Sequence, residues 1–158
     1  MKLSIKKGFS FGLTSGTITT LGLIMGLESG TGSKLVILGG ILTIAVADAF
    51  SDALGIHISE ESENKHTTKE IWESTIATFL SKFIFALTFA VPFLFLSISS
   101  SIIISVIWGL FLLIIFSYFL ARQEKLSPFK VISEHVIIAV LVVLITHFLG
   151  QWIAKIFN

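Results

Sequence analysis

Residues 34–58 read KLVILGGILTIAVADAFSDALGIHI, an apolar run that is long enough to cross a bilayer and that carries two carboxylates. A transmembrane helix needs about 20 consecutive apolar residues. Asp48 falls just past the middle of the run and Asp52 follows one helical turn later, so both acids lie on one helix face. A charge in hydrocarbon costs at least about 2.5–3.5 kcal/mol, and each acid therefore needs a partner, a proton or water. The pattern predicts a transmembrane helix at which something positive binds.

The whole chain has the composition of a membrane protein. Of its 158 residues 54% are hydrophobic and 13% are charged, and the mean hydropathy is +0.94. Roughly a quarter of the residues are charged in soluble domains. We therefore predict a single membrane domain over residues 1–158, with no separate soluble module. The absence of cysteine excludes disulfides, thiolate metal sites and cysteine nucleophiles, and no basic cluster indicates a nucleic-acid partner.

Five apolar stretches reach spanning length. They cover residues 8–27, 34–58, 75–97, 101–121 and 133–154. Five spans place the N-terminus, an acidic loop at 59–74 and a loop at 122–132 on the same side of the membrane. That side carries Lys2, Lys6, Lys7, Lys65, Lys69, Arg122, Lys125 and Lys130. The other side has only Lys34 and Lys155, so the positive-inside rule predicts an all-α integral membrane protein with a cytosolic N-terminus and a C-terminus outside or in a lumen.

The acidic residues concentrate at the cytosolic end of the second span, where the positive-inside rule would not draw them. Carboxylate and imidazole ligands suit borderline divalent ions such as Fe(II), Mn(II) or Zn(II). The candidate metal ligands are Asp48, Asp52, Glu60, Glu61, Glu63, His66, Glu70 and Glu73, with Glu134 at the expected depth of the loop. The alternative interpretation of the loop is an ordinary solvated run of charge.

Other polar or small residues have both a functional and a structural interpretation. Small-xxx-small spacing in the first span indicates tight helix packing, a dimer interface or a pore-lining helix. The glycines in this pattern are Gly8, Gly12, Gly16, Gly22 and Gly26. His147 is a candidate proton relay, or a histidine that hydrogen-bonds to a neighbouring helix. Lys82 in the third span is a possible counter-ion, near the expected depth of Asp52.

Three segments resemble the vacuolar iron transporter family. They are GFSFGLTSGTITTLGLIMGL at 8–27, AVADAFSDALGIHISEES at 45–62 and, more weakly, EHVIIAVLVVLITHFLGQWI at 134–153. The resemblance implies five spans with a cytosolic N-terminus and a dimer around the first span, with the ion path between the two copies. It also implies export of Fe(II), and often Mn(II), from the cytosol by proton antiport.

Three positions depart from the family pattern. Phe11 stands where members carry an aspartate before a Gly-Leu-Thr-like run, Asp52 replaces a methionine, and Ile56 replaces a glutamate. The remaining site is all oxygen, which could shift its preference from Fe(II) toward Mn(II), or even Mg(II) or Ca(II). The loop at 59–74 is also shorter than the metal-binding unit of some members, so we expect a smaller cytosolic site.

These features together predict a homodimeric divalent-cation exporter in a lipid bilayer, expected to be a prokaryotic plasma membrane. Its substrates would be metal ions and protons, and it would need no cofactor besides the transported metal. No nucleophile or cofactor motif indicates an enzyme. Two alternatives remain open: a proton-coupled carrier of another small cation, and a non-transporting structural membrane protein whose acids pair with Lys82 and partner helices.

Overall fold

The structure, a computed structural model, describes residues 2–157, and the regular structure in that range is entirely helical. The helices are α1 (Leu3–Thr31), α2 (Lys34–Ser62), α3 (Thr68–Thr88), α4 (Ala90–Phe95), α5 (Ile98–Gln123) and α6 (Pro128–Phe157). In the described part of the chain five segments are long and apolar enough to cross a membrane, because α3 and α4 together form one candidate span, Thr68–Phe95. The predicted all-α architecture with five spans is therefore confirmed, whereas the orientation of the termini remains a prediction.

The five candidate spans are longer than the apolar runs from which they were predicted. Helix α2 has 29 residues and continues to Ser62, which makes it about 43 Å long at 1.5 Å per residue. The hydrocarbon core of a bilayer is only about 30 Å thick. The acidic segment at 59–74 is accordingly mostly helical, with a short connection between Ser62 and Thr68. Asn64 turns the chain there with a φ of 52°, a left-handed conformation that asparagine tolerates.

Pro92 explains the break between α3 and α4. A proline has no N–H to donate to the carbonyl four residues earlier, and its ring clashes with that carbonyl. Helix α3 ends at Thr88, which is that residue, and the N–H of Phe89 turns back to the Ala86 carbonyl at 3.2 Å. Pro92 therefore accounts for the end of α3 within the third candidate span.

The described residues form two compact units. The first contains the chain up to Thr17 together with Ile41–Ala90, and the second contains Ile18–Gly40 together with the residues from Val91 onward. Buried apolar side chains lie in both. In the first unit they include Leu13, Ala45, Ala49, Ala53, Ala86 and Phe89. In the second they include Leu21, Ile24, Ile37, Leu113 and Ala139.

Glycines let α1 approach α3 within the first unit. A Cβ added at Gly8 would overlap the carbonyl of Ser74, and one added at Gly12 would overlap the carbonyl of Thr78. A Cβ at Gly16 would lie 3.2 Å from Cγ of Lys82. Because no side chain separates the two backbones, α1 rests directly on α3 along this face.

In the second unit two further glycines of α1 face α6. A Cβ at Gly22 would lie 2.7 Å from Cγ1 of Val142, and one at Gly26 would lie 3.6 Å from Cβ of Thr146. The five glycines singled out in the first span thus all border helices of the same chain.

Candidate functional site

A buried lysine brings the two intramembrane acids together in the first unit. Nζ of Lys82, on α3, lies 2.5 Å from Oδ2 of Asp48 and also forms an ion pair with Oδ2 of Asp52. Ser15, on α1, donates a hydrogen bond to the same Oδ2 of Asp52 at 2.6 Å and accepts one from Lys82 at 2.9 Å. We call these four residues the Lys82 cluster. Three helices meet in it, and the glycines on either side of Ser15 allow that approach.

The cluster is closed on the lysine side and open on the acid side. The side chain of Lys82 is only 2% exposed, whereas those of Asp48 and Asp52 are 31% and 20% exposed. Both acids bind the lysine through Oδ2, and among the described residues nothing donates to Oδ1 of either. Each carboxylate therefore keeps one accessible oxygen for a further positive group.

The charges of the Lys82 cluster do not cancel. Two carboxylates face one ammonium group, which leaves one negative charge within a membrane span. Interactions of this kind are strong because the surroundings have a low dielectric constant. The arrangement can hold a proton or a cation, and it also stabilises the contact between α2 and α3.

A second charged group, the Glu60 cluster, lies toward the end of α2 and consists of Lys7, Glu60, Glu63 and His66. Glu60 has a side chain only 2% exposed; it forms an ion pair with Lys7, and its Oε2 lies 3.3 Å from Nε2 of His66. Glu63 lies 3.5 Å from the same nitrogen and 3.7 Å from Nζ of Lys7. The structure thus brings three predicted metal ligands together around a lysine. Over residues 2–157 no group of three or more acids and histidines has an arrangement that could hold a metal ion.

Two of the predicted ligands, Glu70 and Glu73, form hydrogen bonds near the start of α3. Glu70 closes a capping box, because its carboxylate accepts from the backbone N–H and hydroxyl of Thr67 while its own N–H donates to that hydroxyl. Glu73 accepts from Lys2 at 2.6 Å and from Ser4 at 2.8 Å. Both acids precede the apolar run at 75–97.

The remaining predicted residues stand apart from both clusters. Glu61 is exposed on α2. Glu134 belongs to the second unit, where it is exposed and lies 4.0 Å from Lys130. His147, also in the second unit, lies 3.0 Å from Nε2 of Gln151 through its own Nε2, and its buried Nδ1 has no partner among the described residues. Its side-chain hydrogen bond is thus with its own helix and not with a neighbour.

Two members of the clusters were not among the candidate residues. Ser15 is one of several hydroxyl residues in the first span, and Lys7 served only as a topology signal. Their neighbours carried a usable signal, since Ser15 precedes Gly16 and Lys7 precedes Gly8, both of which face α3. A polar residue beside a helix-packing glycine is well placed to reach across to the partner helix.

Comparison with known proteins agrees with this architecture. Residues 7–72 match the model described as the VIT family, a segment that begins at Lys7 and includes both acids of the Lys82 cluster. No curated protein matches the chain. The chain is an integral membrane protein by its five apolar spans. The chain is therefore similar to the VIT family over residues 7–72, within an all-helical structure that has five candidate spans.

Proposed function

We propose that this protein exports divalent metal ions, Fe(II) or Mn(II), from the cytosol in exchange for protons. The observation that carries the proposal is the pair Asp48 and Asp52, which lie within a membrane span and keep one accessible oxygen each. Oxygen ligands of this kind bind Mn(II) and related hard or borderline ions. The match to the VIT family supports metal ions as the cargo.

The proposed path starts at the Glu60 cluster and continues along α2. Glu60 lies eight residues beyond Asp52 and Asp52 four beyond Asp48, which corresponds to rises of about 12 Å and 6 Å along the helix axis. An ion held first by the carboxylates at the end of α2 would pass to Asp52 and then to Asp48. When the ion leaves, a proton can neutralise the negative charge that remains on the carboxylates, which provides the exchange.

We also propose that two copies pair through α2. Small residues recur every fourth position on its exposed face, and they are Gly39, Thr43, Ala47, Ser51, Gly55 and Ser59. A Cβ at Gly39 or Gly55 would meet nothing within 4 Å, so another helix could approach the backbone closely there. The glycines of α1 already face helices of the same chain, which makes α2 the better candidate for the dimer contact. Pairing on this face would bring the exposed sides of Asp48 and Asp52 near the second copy.

The test is metal uptake into proteoliposomes that contain a fluorescent metal indicator and carry a pH gradient. Fe(II), Mn(II), Zn(II), Mg(II) and Ca(II) are compared for the wild type and the double variant Asp48→Asn/Asp52→Asn. We expect flux in the wild type and a loss of roughly tenfold or more in the double variant, since losing about 1.4 kcal/mol of binding already gives that factor. Glu28→Gln, which removes an acid outside both clusters, is the matched control and should transport normally. Metal flux that survives intact in the double variant would contradict the proposed site.

The ion pairs of Lys82 favour one other function, that of a non-transporting membrane protein in which the Lys82 cluster joins helices. Breaking a buried ion pair by removing one partner is strongly destabilising. If that is its role, the folded wild type carries no metal, Asp52→Asn lowers the yield of folded protein, and adding Lys82→Met partly restores it. The same set of proteoliposomes and variants therefore separates the two functions.

A further inference from the structure

We propose that the ammonium group of Lys82 is a tethered cation that occupies the transport site, and that a divalent ion binds between Asp48 and Asp52 only by displacing it. This inference rests on the proposed function and adds the residue that sets the affinity of the site. It assigns Lys82 a role in ion binding and release beyond neutralising buried charge.

The position of the ammonium group is the position that a bound metal would take. Nζ of Lys82 lies 2.5 Å from Oδ2 of Asp48 and is paired with Oδ2 of Asp52, so it bridges the two carboxylates. Divalent ions bridge carboxylate oxygens at about 2.0–2.6 Å. The metal and the ammonium group therefore compete for the same two oxygen atoms.

Charge argues against simultaneous occupancy. A divalent ion beside the ammonium group would place three positive charges against two negative ones in a membrane span, where electrostatic repulsion is poorly screened. When Lys82 withdraws, two carboxylates balance one divalent ion. A monovalent ion brings no more charge to the two oxygens than the ammonium group does, whereas a divalent ion brings twice as much, so the competition favours divalent ions.

The packing around Lys82 allows such an exchange. The entering ion meets the carboxylates first, because they are partly exposed while the lysine is almost fully buried behind them. The stem of Lys82 lies against Gly16, which presents no side chain to obstruct it. A lysine stem has four flexible carbons, so its ammonium group can move while the backbone of α3 stays in place.

A returning ammonium group would also promote release of the ion. Without it, departure of a metal would leave two unpaired carboxylates close together, a state that strongly favours rebinding. With it, Lys82 takes the metal's place and the site is never empty. Lys82 thus lowers the affinity of the site for the ion and speeds the release of the ion.

The experiment measures Mn(II) binding to purified protein in detergent, using electron paramagnetic resonance to quantify the free ion. Lys82→Met removes the ammonium group while keeping a flexible apolar stem, and Lys82→Arg is the matched control that retains the positive charge. We expect Lys82→Met to bind Mn(II) at least about tenfold more tightly than the wild type and Lys82→Arg to bind no more tightly. In proteoliposomes, Lys82→Met should show a lower KM and a lower maximal rate for the same ion.

The failures of the inference and of the proposed function are distinguishable. Unchanged or weaker Mn(II) binding by folded Lys82→Met would overturn the inference alone, provided that Asp48→Asn/Asp52→Asn abolishes binding in the wild-type background. If that double variant still binds and transports Mn(II), the proposed site itself is wrong.

Folding of the lysine variant is tested at the same time. Lys82→Met is purified with and without Mn(II) throughout, because a metal that can replace the ammonium group should also replace its stabilising charge. Recovery of folded protein only when Mn(II) is present supports the inference. Failure to fold in both conditions counts against it, since the metal then does not substitute for the lysine.

Discussion

At the scale of the residue, the partners of each charge decide what it can do. The sequence placed Asp48, Asp52 and Lys82 at similar depths, and the structure joins all three. It did not reveal that the acids share the lysine through one oxygen each, because that depends on how α2 and α3 are rotated about their axes. The same limit applies to Glu60 and Glu61, which are adjacent in the chain but differ completely in exposure.

This difference gives a paired prediction. Replacing Glu60 by glutamine removes the charge that Lys7 and His66 contact, and we expect the free energy of unfolding to fall by about 1–3 kcal/mol. The loss stays moderate because the side chain of Lys7 is partly exposed and can be hydrated. Glu61→Gln, an exposed neighbour with the same chemistry, should change stability by less than about 0.5 kcal/mol. Thermal unfolding in detergent measures both, and equal shifts would mean that the buried ion pairs contribute little.

At the scale of the helix, sequence patterns predicted that each spanning helix exists, but they did not predict its full length or the helix that it packs against. Apolar runs identify five spans but not the polar turns that extend them, since helix propensity continues into the headgroup region. Thr67 and Glu70 stand in the spacing of a capping box, a signal that was readable in the sequence and that competes with the metal-ligand interpretation of Glu70. The glycines of α1 predicted close packing, but their spacing does not say which helix they face.

Gly12 and Gly55 provide the corresponding test. An alanine at Gly12 would push its Cβ into the carbonyl of Thr78, and backbone atoms of packed helices cannot move aside cheaply. We expect Gly12→Ala to destabilise the protein by about 1–3 kcal/mol. Gly55→Ala meets open space within its own chain, so in the monomer it should be neutral or stabilising by up to about 1 kcal/mol, since alanine is the better helix former. Unfolding of monomeric protein in detergent measures the difference, and a Gly12 variant as stable as the Gly55 variant would contradict the packing of α1 on α3.

At the scale of the whole molecule, the hydrophobicity of the sequence predicts the number of spans. The orientation of the chain in the membrane is predicted from the uneven distribution of its basic residues. Eight basic residues on one predicted side against two on the other predict a cytosolic connection between α2 and α3. The chain contains no cysteine, so single introduced thiols report on single positions.

We expect a membrane-impermeant maleimide to label Lys65→Cys only when the cytosolic face is accessible, as in inverted vesicles. Ser99→Cys, near the start of α5, should be labelled in intact cells because it lies at the other end of the third span. Labelling after membrane solubilisation controls for reactivity of each thiol. The reverse pattern would show that the molecule is inverted, and the proposed direction of transport would be inverted with it.

The bridge from Lys82 to Asp48 and Asp52 also bears on how the chain enters the bilayer. Leaving the translocon alone, α2 would carry two bare carboxylates and α3 a bare ammonium group, each at a cost of about 2.5–3.5 kcal/mol. The connection between them is short, from Ser62 to Thr68, so the two segments can partition together as a helical hairpin in which the ammonium group already offsets one of the two carboxylate charges. The ion pairs of the mature site thus favour insertion of α2 into the bilayer together with α3, and not before it.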